Sequence, residues 1–284
     1  VYKRQDLSRF SYVDTMVTVV DAANFFRDFG SPELLTDRDL TDIAGDDRTI
    51  VNLLTDQVEF ANVIVLNKVD LVDADHLGIL RSTLKKLNPS ARIVETNFSE
   101  VDPKSILHTG LFDFEEAEES AGWIAELNKE EHTPETEEYG IGSFVFRSSL
   151  PFHPERFWAY FHDRFPANII RSKGLFWIAS RPDQALIWGQ AGGSIRTDSA
   201  GVWWASMSFG ERADSMVFLE NQKDIEANWD PLFGDRKVEL VFIGQHLDEA
   251  GIRRDLEACL VKTEDLPFNW MSGYPDAWPV ERTS

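Results

Sequence analysis

Val63-Ile64-Val65-Leu66-Asn67-Lys68-Val69-Asp70 decides how this chain is read. Four apolar residues in succession suit a central strand of a parallel sheet, covered on both faces. The polar Asn-Lys-x-Asp then falls at the strand's carboxyl end, where open α/β sheets bind ligands. A carboxylate at Asp70 can accept two parallel hydrogen bonds from N1–H and the exocyclic N2–H₂ of guanine. Adenine has neither donor, and a site built on such a bond rejects the analogue lacking it by a factor on the order of 10⁴. Asn67 can bridge the neighbouring loops and the base, and the Lys68 stem can lie over the ring. The competing reading is a strand end followed by a helix-capping carboxylate, with no ligand.

Working outward, the first half alternates strands with amphipathic helices. Thr15–Asp21 reads as a buried β-branched strand, followed by a loop rich in Asp and Gly. A helix is expected over about 48–60, with Ile50, Leu53, Leu54 and Val58 on one face, then the strand at 62–66. Leu77, Leu80, Leu84 and Leu87 predict a helix over 74–87 that Asp73 is placed to cap. Arg92–Thr96 is the third strand. Strand–helix–strand–helix–strand is the pattern of a parallel sheet with right-handed crossovers. Thr96 and Asn97 end on the same sheet edge as Asn67–Asp70, where they either touch the base or merely terminate a loop.

Residues 113–138 change character, with a short acidic helix and an acidic linker containing His132. Beyond them, Ile141–Ser149 alternates as a half-buried strand, and Pro154 opens a helix carrying Phe157, Trp158, Phe161 and Phe165. Strands are expected near 173–179, 185–190, 193–197, 201–207 and 238–244, and Asp248 caps a helix over 249–261. This order resembles a split β-α-β layout, one antiparallel sheet with helices on one face. Trp158, Trp177, Trp188, Trp203 and Trp204 read most simply as core. The tail from Glu264 is expected to lie along the surface.

Composition narrows the function classes. The 284 residues carry a formal charge of −21, which argues against nucleic acid, since phosphate binding needs a basic footprint. No apolar run reaches membrane-spanning length. The single cysteine, Cys259, excludes an intrachain disulfide and a CxxC site, fits a reducing cytosol, and reads as a buried inert thiol. The histidines at 76, 108, 132, 153, 162 and 246 show no ligand-like pairing, so capping or surface roles are expected. A phosphate loop, G-x-x-x-x-G-K-[ST], is absent from the sequence. The run Gly189–Ser194 has neither its spacing nor its lysine. Because the chain starts at Val1 and enters a strand within its first fifteen residues, we expect it to be the C-terminal part of a longer protein.

With these residues in place the chain resembles the CobW-type GTPases, a family of P-loop metallochaperones that includes zinc chaperones. The matching segments are Thr18–Ala22, Asp56–Asn62, Val63–Leu71, Gly110–Asp113, Pro151–Trp158, Lys173–Trp177 and Val241–Gly244, in family order. The resemblance implies an α/β fold: a partial P-loop GTPase parallel sheet lacking its N-terminal strands, then an α+β C-terminal domain. It divides the chain into 1–112 (GTPase portion), 113–140 (acidic helix and linker), 141–262 (C-terminal domain) and 263–284 (tail). It implies GTP or GDP with Mg²⁺, and Zn²⁺ as cargo for a client metalloprotein, in the intact parent. None of these is expected to be held tightly by this chain, because the phosphate loop, Cys-x-Cys-Cys and Glu-x-x-Gly elements are missing. Only Asn67, Lys68 and Asp70 carry over, as base-recognition residues; Asp21 is followed by Ala22-Ala23-Asn24 and fails the Asp-x-x-Gly pattern. Two alternatives stand beside this: a non-catalytic client-docking protein, and an unrelated Rossmann-like enzyme. The parent would be cytoplasmic, with neither nucleic acid nor membrane as partner.

Overall fold

The computed structural model describes residues 11–38, 40–41, 48–113, 122–127, 138–262, 274–276 and 278. The acidic linker, with His132, lies outside them. The chain divides into two compact units, residues 1–141 and 142–284.

The first unit is built on three parallel strands in the order β1 (Val17–Asp21), β2 (Val63–Asn67), β3 (Arg92–Thr96). Val63, Ile64, Val65 and Leu66 are all buried, as expected of a strand covered on both faces. The register aligns Asp21, Asn67 and Thr96 across the sheet, so three polar residues emerge together where the apolar run stops. Helices α1 (Phe25–Phe29), α2 (Ile50–Glu59) and α3 (Ala74–Leu87) connect the strands, and α2 packs against both α1 and α3. Asp73 caps α3, accepting from the His76 amide at 2.8 Å. The buried side of α2 is Ile50, Val51, Thr55 and Val58, so Leu53 and Leu54 are only half-buried, a quarter-turn from the expected stripe. A buried Asn88 locks this unit. Its Nδ2 lies 2.8, 3.1 and 2.9 Å from the carbonyls of Val58, Glu59 and Ala61. Its Oδ1 accepts from Ser90 Oγ and the Ala91 amide. Otherwise orphaned carbonyls at the end of α2 are thereby satisfied. Val17 and Val19 of β1 are exposed, and β1 is an edge strand among the described residues.

The second unit holds a five-stranded sheet in the order β4 (Ile141–Ser148), β8 (Val238–Gln245), β5 (Ile169–Phe176), β6 (Gln184–Ala191), β7 (Ser194–Val202). β5 is antiparallel to both β6 and β8, and β6 to β7. β8 inserts between β4 and β5, which flank the helix Pro154–Asp163 in sequence; this is the split layout expected. A short helix, Gly122–Leu127 (α4), precedes this unit, so Pro154–Asp163 is α5. It packs on α8 (Glu249–Cys259), whose cap is Asp248. Phe157, Tyr160 and Phe161 of α5 join Phe144, Phe242, Trp188 and Cys259 in one core. Gly174 (φ +155°) is required, since a Cβ there would stand 1.9 Å from the Glu239 carbonyl oxygen of β8.

Other expectations are corrected, and β1, expected to be buried, is mostly not. Residues 201–207 are not a separate strand: β7 runs to Val202, and Trp204–Ser206 forms a tight turn because the Asp235 carboxylate accepts from the Trp204 and Ala205 amides. Two unforeseen helices follow, α6 (Phe209–Ala213) and α7 (Met216–Ala227). In the tail, Trp278 is buried, stacked on Phe157 at 5.7 Å rather than lying on the surface. Of the expected core tryptophans, Trp177, Trp188 and Trp203 are buried, whereas Trp204 is only half-buried and Trp158 is 37% exposed.

Candidate functional site

At the carboxyl edge of the parallel sheet, Lys68 adopts left-handed backbone angles (φ 63°, ψ 34°) and ends β2 abruptly. The chain then turns through Val69–Leu71, with the Leu71 amide donating to the Lys68 carbonyl at 3.1 Å. This reversal keeps Asp70 at the sheet edge instead of carrying it into the next helix.

Three neighbours fix the stretch. Asn67 forms a reciprocal pair with Ser99: its Nδ2 donates to Ser99 Oγ, and its Oδ1 accepts from the Ser99 amide, both at 2.9 Å. The Asp70 amide donates to Asn97 Oδ1 at 3.2 Å. Lys68 Nζ donates to Asp21 Oδ2 at 2.6 Å. Asp21 also accepts from the Ala23 and Asn24 amides and from Asn24 Nδ2. Partial burial raises the Asp21 carboxyl, but the bonds from Lys68, Asn24 and Ala23 outweigh it and hold the group below the ordinary carboxylate range. With both Asp21 oxygens engaged, the residue serves as the Lys68 anchor.

The Asp70 carboxylate is different. It is exposed and makes no hydrogen bond or ion pair among the described residues. An acceptor held by its backbone and left open at its oxygens suits a ligand presenting two adjacent N–H groups. The sequence brought Asn67, Lys68 and Asp70 to this edge, and Asn97 joins them as a bridge. Ser99 and the Asp21–Lys68 pair went unforeseen, because both depend on strand register; Asp21 closing an apolar strand was the available hint.

The region around this site matches the model described as CobW/HypB/UreG, nucleotide-binding domain, over residues 1–95. Residues 141–260 match the cobalamin synthesis protein cobW C-terminal domain. The chain belongs to the CobW/HypB/UreG family of P-loop GTPases. Its CobW C-terminal domain is the five-stranded unit described above. The chain is 40% identical over 265 residues to a Dictyostelium discoideum protein named zinc-regulated GTPase metalloprotein activator 1, covering 92% of this chain and 55% of that protein. A Mycobacterium tuberculosis protein named a zinc chaperone is 29% identical over 268 residues, covering 92% of this chain and 60% of that one. The chain thus spans little more than half the length of these curated relatives. A solved structure of Zn(II)-bound YjiA GTPase from E. coli is similar at 18% identity with a TM-score of 0.37, over 90% of this chain and 64% of that one.

Among the described residues, no group of three or more His, Cys, Asp and Glu side chains is placed to hold a metal ion. They do not fit a zinc centre. His76 Nε2 lies 3.2 Å from the Ala22 carbonyl and His162 Nδ1 lies 3.0 Å from the Trp158 carbonyl, each tied to backbone. Cys259 is buried, and burial pushes its thiol up to about 11, so at neutral pH it is neither thiolate nucleophile nor ready metal ligand. No described helix is long and apolar enough to cross a membrane.

Proposed function

We propose that this chain is the base-recognition and C-terminal portion of a GTP-binding, GTP-hydrolysing metal chaperone that delivers a metal ion, zinc being the candidate, to client proteins in the cytoplasm. The open Asp70 carboxylate beside the pinned Asn67 carries the reading. Asp70 accepts N1–H and N2–H₂ of guanine, Asn67 holds the Ser99 loop in place beside the base, and the Lys68 stem covers a ring face while its ammonium is anchored on Asp21. The names of the zinc-associated relatives support the metal. Phosphate binding and hydrolysis need a phosphate loop with Mg²⁺, and the sequence contains none. This chain alone is therefore expected to bind guanine nucleotides weakly and to turn none over. Isothermal titration of GDP into the wild-type chain and into Asp70→Asn tests the reading: GDP binding weakened in the variant supports it, whereas steady GTP turnover by this chain overturns it.

One observation favours a second reading, a client-docking protein without nucleotide turnover. Helices α6 and α7 leave Phe209, Met216, Val217 and Leu219 exposed, with Leu232 beyond them, and Phe218 is the one buried residue of α7. GDP binding by neither form in that titration would favour it.

A further inference from the structure

Phe98 has no structural reason to be where it is. It lies between Asn97, which holds the Asp70 amide, and Ser99, which is paired reciprocally with Asn67. Both its neighbours are therefore bonded to the Asn67–Asp70 stretch, and Phe98 is carried to the same sheet edge. The residue is 86% exposed, the most exposed large hydrophobic among the described residues. Its backbone is left-handed (φ 53°), as is that of Ser99 (φ 58°). That region is uncommon for any residue with a Cβ and an outlier for a bulky one. The turn itself is well made without the ring: Thr96 Oγ1 donates to the Glu100 carbonyl at 2.8 Å, and the Glu100 amide donates to the Asn97 carbonyl at 3.1 Å. A glycine at 98 would close the same turn with less strain and no exposed apolar surface. Strained residues that persist in this way cluster at ligand clamps.

The position explains the cost. Lys68 reaches towards β1, where Asp21 anchors it, whereas Phe98 leaves from the end of β3, so the two lie on opposite sides of β2, the strand that leads into Asp70. We propose that Phe98 is a base-stacking residue, covering the face of the purine opposite the Lys68 stem, so that Asp70 selects the base and Phe98 holds it. This inference rests on the guanine reading of Asp70 and adds a sequence-tolerant contribution to it. An aromatic ring binds the π-face of any base, and removing one weakens binding about tenfold in single-stranded nucleic-acid sites. Phe98 is thus expected to set affinity, and Asp70 selectivity.

Ligand-observed NMR of the intact 284-residue chain with guanosine and adenosine 5′-monophosphates separates the two roles. The expected result is an upfield ring-current shift of guanine H8 on binding. Phe98→Ala should lose that shift and weaken binding about tenfold while the guanine-over-adenine preference persists. Phe98→Trp should keep both. Asp70→Asn should lose the preference and keep stacking of either base. Phe98→Gly guards against a merely structural role, since glycine fits the left-handed backbone: its Tm should not fall although its binding does. Unchanged affinity and H8 shift in Phe98→Ala, with preference lost in Asp70→Asn, overturns the stacking role and leaves the guanine site standing. Absence of any guanine preference in the wild-type chain overturns both.

Discussion

Two aspartates, one in each unit, show what distinguishes an architectural carboxylate from a candidate binding group. Asp276 is nearly sequestered: Arg181 donates to its two oxygens at 2.6 and 3.0 Å, and Arg181 Nη2 also donates to the Trp278 carbonyl at 2.9 Å. Asp70 is exposed, its amide fixed by Asn97 and its oxygens open. The same contrast runs through the two sheets. In the second unit a buried polar chain is satisfied internally: Trp188 Nε1 donates to Ser172 Oγ, which donates to Gln190 Oε1, and Gln190 Nε2 donates to the Ile169 and Gly192 carbonyls. In the first unit the polar residues gather where the strands end, and their network stops one group short of closure. Internal satisfaction of polar groups stabilises a fold; an oriented group left unsatisfied at a sheet edge is free to recognise something.

Substitutions at the two kinds of site should therefore give opposite readouts. The largest stability loss is expected from Asp276→Ala, which leaves a buried guanidinium without its carboxylate and should cost about 3–5 kcal/mol, read by chemical denaturation. Guanine-nucleotide affinity of the surviving folded fraction should be unchanged. Asn88→Ala strands several buried carbonyls at the end of α2 and should cost about 2–3 kcal/mol. At the other extreme Asp70→Asn should move stability by no more than about 0.5 kcal/mol while altering binding. A large loss of stability in Asp70→Asn would erase the contrast between the two aspartates.

Two titrations give smaller effects. The Asp21 carboxyl is depressed in the folded state, so its contribution with Lys68 is fully present above the unfolded value of about 3.9. It should fade as pH falls below that, and Asp21→Asn should flatten that part of the acid limb of a Tm-versus-pH curve. Cys259 moves the other way. Its folded value of about 11 lies above the ordinary thiol range, so its contribution is complete below about 8.5 and declines as pH rises through 11. At pH near 8, a thiol reagent should label native protein far more slowly than unfolded protein.

How far residues announced their structure differed by region for physical reasons. β2 was plain because four apolar residues end in a polar run, and α3 because its leucines recur at helical spacing. Asp73 and Asp248 were readable as caps because capping is local. α7 escaped because Phe218 is its one buried residue, so it carries no apolar stripe to find. Trp203 and Trp204 continue the strand-like run of Val202, yet Asp235, distant in sequence, accepts from the Trp204 and Ala205 amides and turns the chain out of the sheet after Val202. Burial of Trp278 likewise depends on Arg181 holding Asp276. At the candidate site, Asn67, Lys68 and Asp70 were local and readable. Ser99, Phe98 and the Asp21 anchor came together only once the strands were in register.

The central claim is that the Asp70 carboxylate reads the purine by accepting two N–H bonds. Xanthine carries a carbonyl where guanine carries its 2-amino group, so an amide at position 70 can donate to it where a carboxylate cannot. Competition between GDP and xanthosine diphosphate on wild-type and Asp70→Asn chains tests this directly. The account predicts guanine preference in the wild type and xanthine preference in the variant; the same preference in both forms would contradict it.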